Sequence, residues 1–139
     1  MNPPEARATL FLVVGPSGAG KDSLIDGARR AFGDDRRLVF PRRVITRAPD
    51  PGSENHIAAD ERRFAQMLAK GAFALTWQAH GLHYGAPASI WPTLERGQSV
   101  VINISRSVIS QARARYANAH VLLVTASAGA LRARLATRG

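Results

Sequence analysis

The sequence predicts an α/β fold in which a parallel sheet is flanked by helices and carries a small inserted lobe. Three observations support this prediction. Apolar, β-branched runs alternate with segments of helical periodicity over most of the chain. A glycine-rich loop joins the first apolar run to the first helical segment. The segment 46–87 interrupts the alternation, and we expect it to form a lobe over the sheet where a second substrate could bind.

The first strand and the first helix flank the glycine-rich loop. The run Thr9–Val14 (TLFLVV) is short and apolar, as a buried strand of a parallel sheet is. A helix is predicted from about Lys21, because apolar residues then recur at helical spacing until Gly33 gives a stop signal. A second strand over Arg37–Ile45 is broken by Pro41, and residues 46–56 predict a loop, since they hold two prolines and a glycine.

The inserted segment contains a predicted helix over Asp60–Ala69. Asp60 is placed as its N-cap, and its apolar face is formed by Phe64, Met67 and Leu68. The elements that follow are, in chain order, a strand at Ala72–Trp77, a turn region at Gly81–Pro87, a helix at Ile90–Arg96, a strand at Ser99–Ile104, a helix at Arg106–Tyr116, a strand at His120–Thr125 and a helix at Ala128–Thr137.

The loop between the first strand and helix carries the most specific motif. Residues 15–23 read GPSGAGKDS and fit the phosphate-binding pattern G-x-x-x-x-G-K, with an aspartate where Ser or Thr is usual. Glycines let such a loop turn its N–H groups toward phosphates, and the helix N-terminus adds positive charge. The motif predicts a bound nucleoside triphosphate, with these ligand residues: Gly15, Pro16, Ser17, Gly18, Ala19, Gly20, Lys21, Asp22 and Ser23.

Composition limits the classes that the chain can belong to. Its 139 residues, 45% of them hydrophobic, suit one domain (1–139), and without cysteine it forms neither disulfides nor cysteine metal sites. No apolar run is long enough for a membrane span and no secretory signal is visible, so a cytoplasmic location is expected.

The charge favours polyanionic ligands. The formal net charge is +9, and 17 of the 19 basic residues are arginine. Arginine pairs on predicted helices, such as Arg29 and Arg30, are interpreted as solvated. With only 6% aromatic residues, a specific nucleic-acid partner is disfavoured, and neither a membrane partner nor an oligomeric state is indicated, although a dimer stays open.

Several motifs occur in the order of a known family: GPSGAGKDS (15–23), VITRAPDPGSENHIA (44–58), FALTWQAHGLHYGAP (73–87), VVINISR (100–106), QARARY (111–116) and LRARLATRG (131–139). With these the chain resembles the guanylate kinase-like branch of the P-loop kinases, and most closely the ribose 1,5-bisphosphate phosphokinases of phosphonate degradation. The resemblance implies that ATP phosphorylates the 1-phosphate of ribose 1,5-bisphosphate, giving 5-phospho-α-D-ribose 1-diphosphate (PRPP) and ADP. It also implies Mg²⁺, held by Asp22 or Ser23, with Asp22 preferred.

The same resemblance implies roles for further residues. Substrate-binding roles fall on Arg43, Arg47, Glu54, His56, Tyr84, Asn103 and Arg106. Structural alternatives stay open for three of them: a turn-stabilising role for Glu54, a satisfied loop histidine at His56 and core packing of Tyr84. Catalytic roles fall on Lys21, Arg134 and Arg138, the two arginines lying at the start of a lid over residues 128–139.

Guanylate kinase, or another nucleoside monophosphate kinase, is the nearest alternative. A guanine pocket needs polar groups along the base edge, since unpaired base atoms would be costly. The matching positions hold Leu75, Ala86 and Pro87, while Asn103 and Ser105 replace an acidic pair. A phosphorylated sugar is therefore favoured over a purine.

Two further expectations concern activity. A non-catalytic guanylate kinase-like binding module is the second alternative, and the intact glycine loop with Lys21 argues against it. The resembled family continues for several tens of residues beyond the position of Gly139, where it completes the lid and the adenine site. A chain acting without that portion is expected to bind ATP weakly and to turn over little.

Overall fold

The computed structural model describes residues 8–16, 20–48 and 56–125, and these form two four-stranded sheets with helices packed against them. The strands are β1 (Leu10–Val14), β2 (Leu38–Val39), β3 (Val44–Ile45), β4 (Ile57–Ala58), β5 (Phe73–Ala79), β6 (Leu82–Pro87), β7 (Ser99–Asn103) and β8 (Ala119–Leu123). The helices are α1 (Lys21–Phe32), α2 (Glu61–Ala69), α3 (Ile90–Glu95) and α4 (Ile109–Arg115), the last preceded by a 3₁₀ turn at Arg106–Val108.

The first sheet is parallel throughout, with the order β2-β7-β1-β8. β1 lies in its interior because its apolar run buries both faces, and Leu10 and Leu12 are fully enclosed. It pairs with β7 on one side, Val13 standing opposite Asn103, and with β8 on the other. The α/β class predicted from the sequence is confirmed, and the carboxyl ends of β1 and β7 meet at one edge.

The second sheet has the order β4-β3-β6-β5 and corrects one prediction. The turn region expected at Gly81–Pro87 is wrong, because Leu82–Pro87 forms β6 and pairs antiparallel with β5. Only His80 and Gly81 make the turn, and both have positive φ (54° and 74°), as a two-residue hairpin turn of the primed type requires. Glycine and proline had suggested a loop where tertiary pairing forms a strand.

The strand predicted over residues 37–45 is divided between the two sheets. β2 lies at one edge of the parallel sheet, whereas β3 pairs with β4 and β6 in the other, with Pro41 in the connection. A single apolar cluster nevertheless joins the sheets, since Ile45, Trp77 and Tyr84 belong to the same core as the β1 and β7 side chains.

The helices follow the sequence patterns with two differences. Asp60 caps α2 as predicted, its Oδ1 accepting from the Arg63 amide at 2.7 Å. The predicted apolar face of α2 is only partly correct, because Phe64 is buried whereas Leu68 is exposed. The helix predicted from Arg106 starts with the 3₁₀ turn, and the one at Ala128–Thr137 lies outside the described residues. Within the described part of the chain, no helix is both long and apolar enough to cross a bilayer.

Two glycines give a test of this packing. A methyl group on Gly85 in β6 would approach the Phe73 ring at 2.5 Å, and that ring stacks on Phe64 at 4.7 Å. We expect Gly85→Ala to lower the free energy of unfolding by about 1–3 kcal/mol, the usual cost of overpacking. Gly27 is exposed in α1 with no atom near its Cβ position, so Gly27→Ala should raise stability by about 0.5–1 kcal/mol. Urea denaturation measures the free energy of unfolding of both variants. Equal stabilities of Gly85→Ala and Gly27→Ala would contradict the packing described for Gly85.

Candidate active site

The glycine-rich loop connects β1 to α1, the arrangement that the phosphate-binding motif requires. Gly15 has φ 152° and a side chain there would collide with the Val124 carbonyl, and Gly20 has φ 97° at the N-cap of α1. Both positions need glycine, as predicted. Lys21 is the first residue of α1, so its backbone lies where the helix N-terminus concentrates positive charge. Ser17, Gly18 and Ala19 lie outside the described residues.

Asp22 and Asn103 meet across the edge of the parallel sheet. Asp22 lies in the first turn of α1 and Asn103 is the last residue of β7, and the Asn103 Nδ2 donates to Asp22 Oδ1 at 3.3 Å. Asn103 is buried, which fixes the amide at this edge. Ser23, the other predicted magnesium ligand, is exposed on α1. Of the two candidates, Asp22 is the one that contacts Asn103 at the sheet edge.

An open cleft lies between α1, β7 and the chain leading into β3. The residues around it are Asp22, Ile25, Asp26, Arg29, Pro41, Arg43, Val101, Ile102 and Asn103. The cleft therefore contains carboxylate, guanidinium and amide groups on an apolar floor.

Sequence reasoning missed two residues of this cleft. Asp26 and Arg29 line it and form an ion pair at 3.2 Å, and the Arg29 guanidinium lies 5.8 Å from the centre of the Phe40 ring. Arg29 had been interpreted as solvated, which is only partly correct because its side chain is 32% exposed, whereas its neighbour Arg30 is exposed as expected. The available signal was spacing: Asp26 and Arg29 stand four and seven residues after Asp22, on one helix face.

Arg43 is held in a desolvated position. Its guanidinium carbon lies 5.5 Å from the centre of the Tyr84 ring, and Tyr84 stacks in turn on Trp77 with ring centres 5.5 Å apart. Burial lowers the pKa of Arg43 from its ordinary value, and the negative charge of Asp22 opposes that effect. An arginine stays charged at neutral pH, so the cleft keeps a poorly hydrated cation suited to phosphate. Tyr84 itself is buried, in agreement with the core-packing alternative.

The predicted residues around β3 and β7 differ in their burial and in their hydrogen bonds. Arg47 is half-buried, and its carbonyl oxygen lies 3.0 Å from Nε2 of the buried His56. This bond is what the loop-histidine alternative for His56 predicts. Arg106 is exposed at the start of the 3₁₀ turn that Ser105 caps. Glu54, Arg134 and Arg138 lie outside the described residues and stay predictions.

The positions matched to base-reading residues are filled by core side chains. Leu75 and Ala86 are only 3% and 0% exposed, and they pair across the β5–β6 hairpin. Pro87 ends β6 half-buried. None of the three side chains offers a hydrogen bond, so this part of the site cannot read a purine edge.

Curated relatives match nearly the whole chain. The protein named ribose 1,5-bisphosphate phosphokinase PhnN from Brucella melitensis biotype 2 is 47% identical over 133 residues, which are 96% of this chain and 69% of that protein. The protein of the same name from Acidiphilium cryptum is 50% identical over 129 residues, 93% of this chain and 68% of that one. The bifunctional ribose 1,5-bisphosphokinase-thymidine phosphorylase of Cupriavidus necator is 51% identical over 97% of this chain, which spans 22% of that protein.

The fold is similar to that of a solved guanylate kinase. The structure of the enzyme from Anaplasma phagocytophilum superimposes with a TM-score of 0.75 at 17% identity, covering 91% of this chain and 65% of that one. No protein-family model matches the chain.

The contact between Asn103 and Asp22 gives a test of the site geometry. Asn103→Asp would set two carboxylates against each other, and we expect it to lower the free energy of unfolding by about 1–2 kcal/mol at low salt, discounted for partial exposure. Adding Mg²⁺ should recover more stability in this variant than in the unmodified protein, because paired carboxylates bind hard cations better.

The matched control for that variant is the double change Asp22→Asn with Asn103→Asp. It removes one of the two like charges and should regain most of the loss in urea denaturation at neutral pH. If Asn103→Asp is as stable as the unmodified protein without Mg²⁺, the two side chains are not neighbours.

Proposed function

This chain belongs to the ribose 1,5-bisphosphate phosphokinase family, and we propose that it takes part in phosphorylating the 1-phosphate of ribose 1,5-bisphosphate with ATP, giving PRPP and ADP. The observation that carries the proposal is the composition of one cleft. A phosphate-binding loop opens α1 beside a desolvated Arg43. Apolar core residues fill the positions that would read a base. Such a site suits a polyanionic sugar, not a nucleotide.

The donor side of the proposed site is the loop with the first turn of α1. Backbone N–H groups around Gly15 and Gly20, the helix N-terminus and Lys21 are proposed to bind the ATP phosphates. Asp22 fits as a magnesium ligand, directly or through water, because it presents a carboxylate to the cleft beside the Asn103 amide. Mg²⁺ held there would supply charge neutralisation for the phosphate oxygens.

The acceptor side is proposed to use guanidinium groups. Arg43 and Arg47 bind the acceptor phosphates through two-pronged hydrogen bonds, and Asn103 contacts the sugar. Tyr84 supports the Arg43 guanidinium with its ring. Glu54 and Arg106 are proposed as further acceptor contacts. Residues 46–87 are proposed as the acceptor lobe of the single kinase domain, and residues 128–139, with Arg134 and Arg138, as the start of its lid.

The proposed reaction requires placement and charge neutralisation, without a strong general base. An anionic oxygen of the 1-phosphate attacks the γ-phosphorus of ATP. A new P–O bond forms while the bond to the β,γ-bridging oxygen breaks, and ADP leaves with that electron pair. Lys21 follows the charge that develops on the transferred group, and Arg43 keeps the acceptor oxygen in line.

A two-acceptor assay tests the function. The full-length protein is incubated with ATP, Mg²⁺ and either ribose 1,5-bisphosphate or GMP. ADP release is followed by a coupled reaction, and the product is identified by mass. We expect turnover with the sugar bisphosphate and at least about a hundredfold lower kcat/KM with GMP, since its base would leave polar atoms unpaired. Faster turnover with GMP would overturn the proposal.

Arg43→Lys separates acceptor binding from ATP binding. Lysine keeps the charge but loses the planar fork and much of the contact with the Tyr84 ring. We expect KM for ribose 1,5-bisphosphate to rise about tenfold or more, with KM for ATP within about twofold. Arg30→Lys is the matched control, because Arg30 is exposed on α1 away from the cleft residues. An equal rise of both KM values would argue against an acceptor role for Arg43.

A further inference from the structure

The two proposed acceptor arginines stand on a short segment with little regular structure of its own. β3 has only two residues, and hydrogen bonds from neighbouring strands hold it there. The Ile57 amide donates to the Arg43 carbonyl at 2.8 Å, and the Thr46 amide donates to the His83 carbonyl at 3.0 Å. Arg47 follows directly after these contacts, and a further contact reaches its carbonyl oxygen.

The ring of His56 supplies that contact. Its Nε2 lies 3.0 Å from the Arg47 carbonyl oxygen. A carbonyl oxygen only accepts, so Nε2 must carry the hydrogen, and Nδ1 of the neutral ring is then a bare acceptor. Nδ1 is buried and no group of the described residues hydrogen-bonds to it, and the residue as a whole is 5% exposed.

The His56 contact joins the residues that follow β3 to the residue that precedes β4. It joins residues nine positions apart, and β3 and β4 are already paired at Val44 and Ile57. Before β3 in the chain, the Arg42 Nη2 donates to the carbonyl oxygen of His56 at 3.0 Å. His56 thus ties both ends of the arginine-bearing segment to the start of β4.

We propose that His56 is a positioning residue that fixes the backbone of Arg47, and that it does not bind the acceptor phosphate itself. The ring has one N–H, which the Arg47 carbonyl occupies, and the bare lone pair of Nδ1 repels an anion. A phosphate is therefore held by the guanidinium of Arg47, and His56 fixes the backbone position from which that side chain extends. The expected effect on acceptor binding rests on the proposed function, whereas the hydrogen bond between His56 and Arg47 does not.

Paired substitutions separate the hydrogen bond from the ring. Glutamine can place an amide N–H where Nε2 stands, whereas asparagine is too short to reach the Arg47 carbonyl. We expect His56→Asn to raise KM for ribose 1,5-bisphosphate about three- to tenfold, the effect of one neutral hydrogen bond, with kcat and KM for ATP within about twofold. His56→Gln should restore KM to within about twofold of the unmodified protein. His120→Gln, an exposed histidine on β8, is the control and should change neither KM.

Three results would overturn the proposal. His56→Gln could be as impaired as His56→Asn, which would mean that the ring acts in another way. Both variants could raise KM for ATP as much as KM for the acceptor, which would indicate a general structural defect. KM for the acceptor could stay unchanged in both variants, which would mean that Arg47 needs no such support.

A measurement on the unmodified protein is independent of turnover. The ¹⁵N NMR shifts of the His56 ring should show a protonated Nε2 and an unprotonated Nδ1 at neutral pH. The opposite tautomer, or a doubly protonated ring, would overturn the proposal. If the protein transfers no phosphate to ribose 1,5-bisphosphate, the proposed function has failed. The ring tautomer, together with the thermal stability of His56→Gln relative to His56→Asn, then decides the hydrogen bond alone.

Discussion

The parallel pairing of β1 with β7 is the constraint on which the rest of the structure depends. It places Val13 opposite Asn103, so the loop that leaves β1 and the side chain that ends β7 lie at the same edge of the sheet. Because α1 begins immediately after that loop, its first turn brings Asp22 to Asn103. Asn103, a proposed acceptor contact, therefore lies at the same edge as the proposed donor side, and strand register brings them together.

A second constraint is the balance of charge in the cleft. A guanidinium that has lost much of its water is costly unless an anion compensates it. In the structure Asp22 supplies part of that compensation to Arg43. The proposed ligands would exchange this arrangement for a stronger one, with Mg²⁺ taking the carboxylate and phosphate oxygens taking the guanidinium. The Asp22 carboxylate and the Arg43 guanidinium thus line the same cleft.

Local signals in the sequence predicted the parallel sheet and the phosphate loop, since a buried strand, positive-φ glycines and a helix start are each encoded within a few residues. β6 could not be predicted in that way, because its glycine and proline are tolerated only through pairing with β5. For Arg29 the spacing from Asp22 along α1 was an available signal, whereas its contact with Phe40 depends on tertiary packing. The contact of His56 with Arg47 could not be predicted, because the sequence between the two residues has no periodic pattern that would pair them.

The likeness to guanylate kinase lies in the main chain, and the β5–β6 hairpin explains how a different acceptor is compatible with it. Alternate residues of a strand share one face, so Leu75 and Trp77 of β5 face the core together with Tyr84 and Ala86 of β6. The apolar pair Leu75–Ala86 removes base-reading groups, and the stacked pair Trp77–Tyr84 supports Arg43. The absence of polar groups at Leu75 and Ala86 and the support of Arg43, proposed to bind phosphate, are thus properties of a single packed face. A change that restored polar groups at Leu75 or Ala86 would disturb the same core that positions Arg43, which couples acceptor preference to stability.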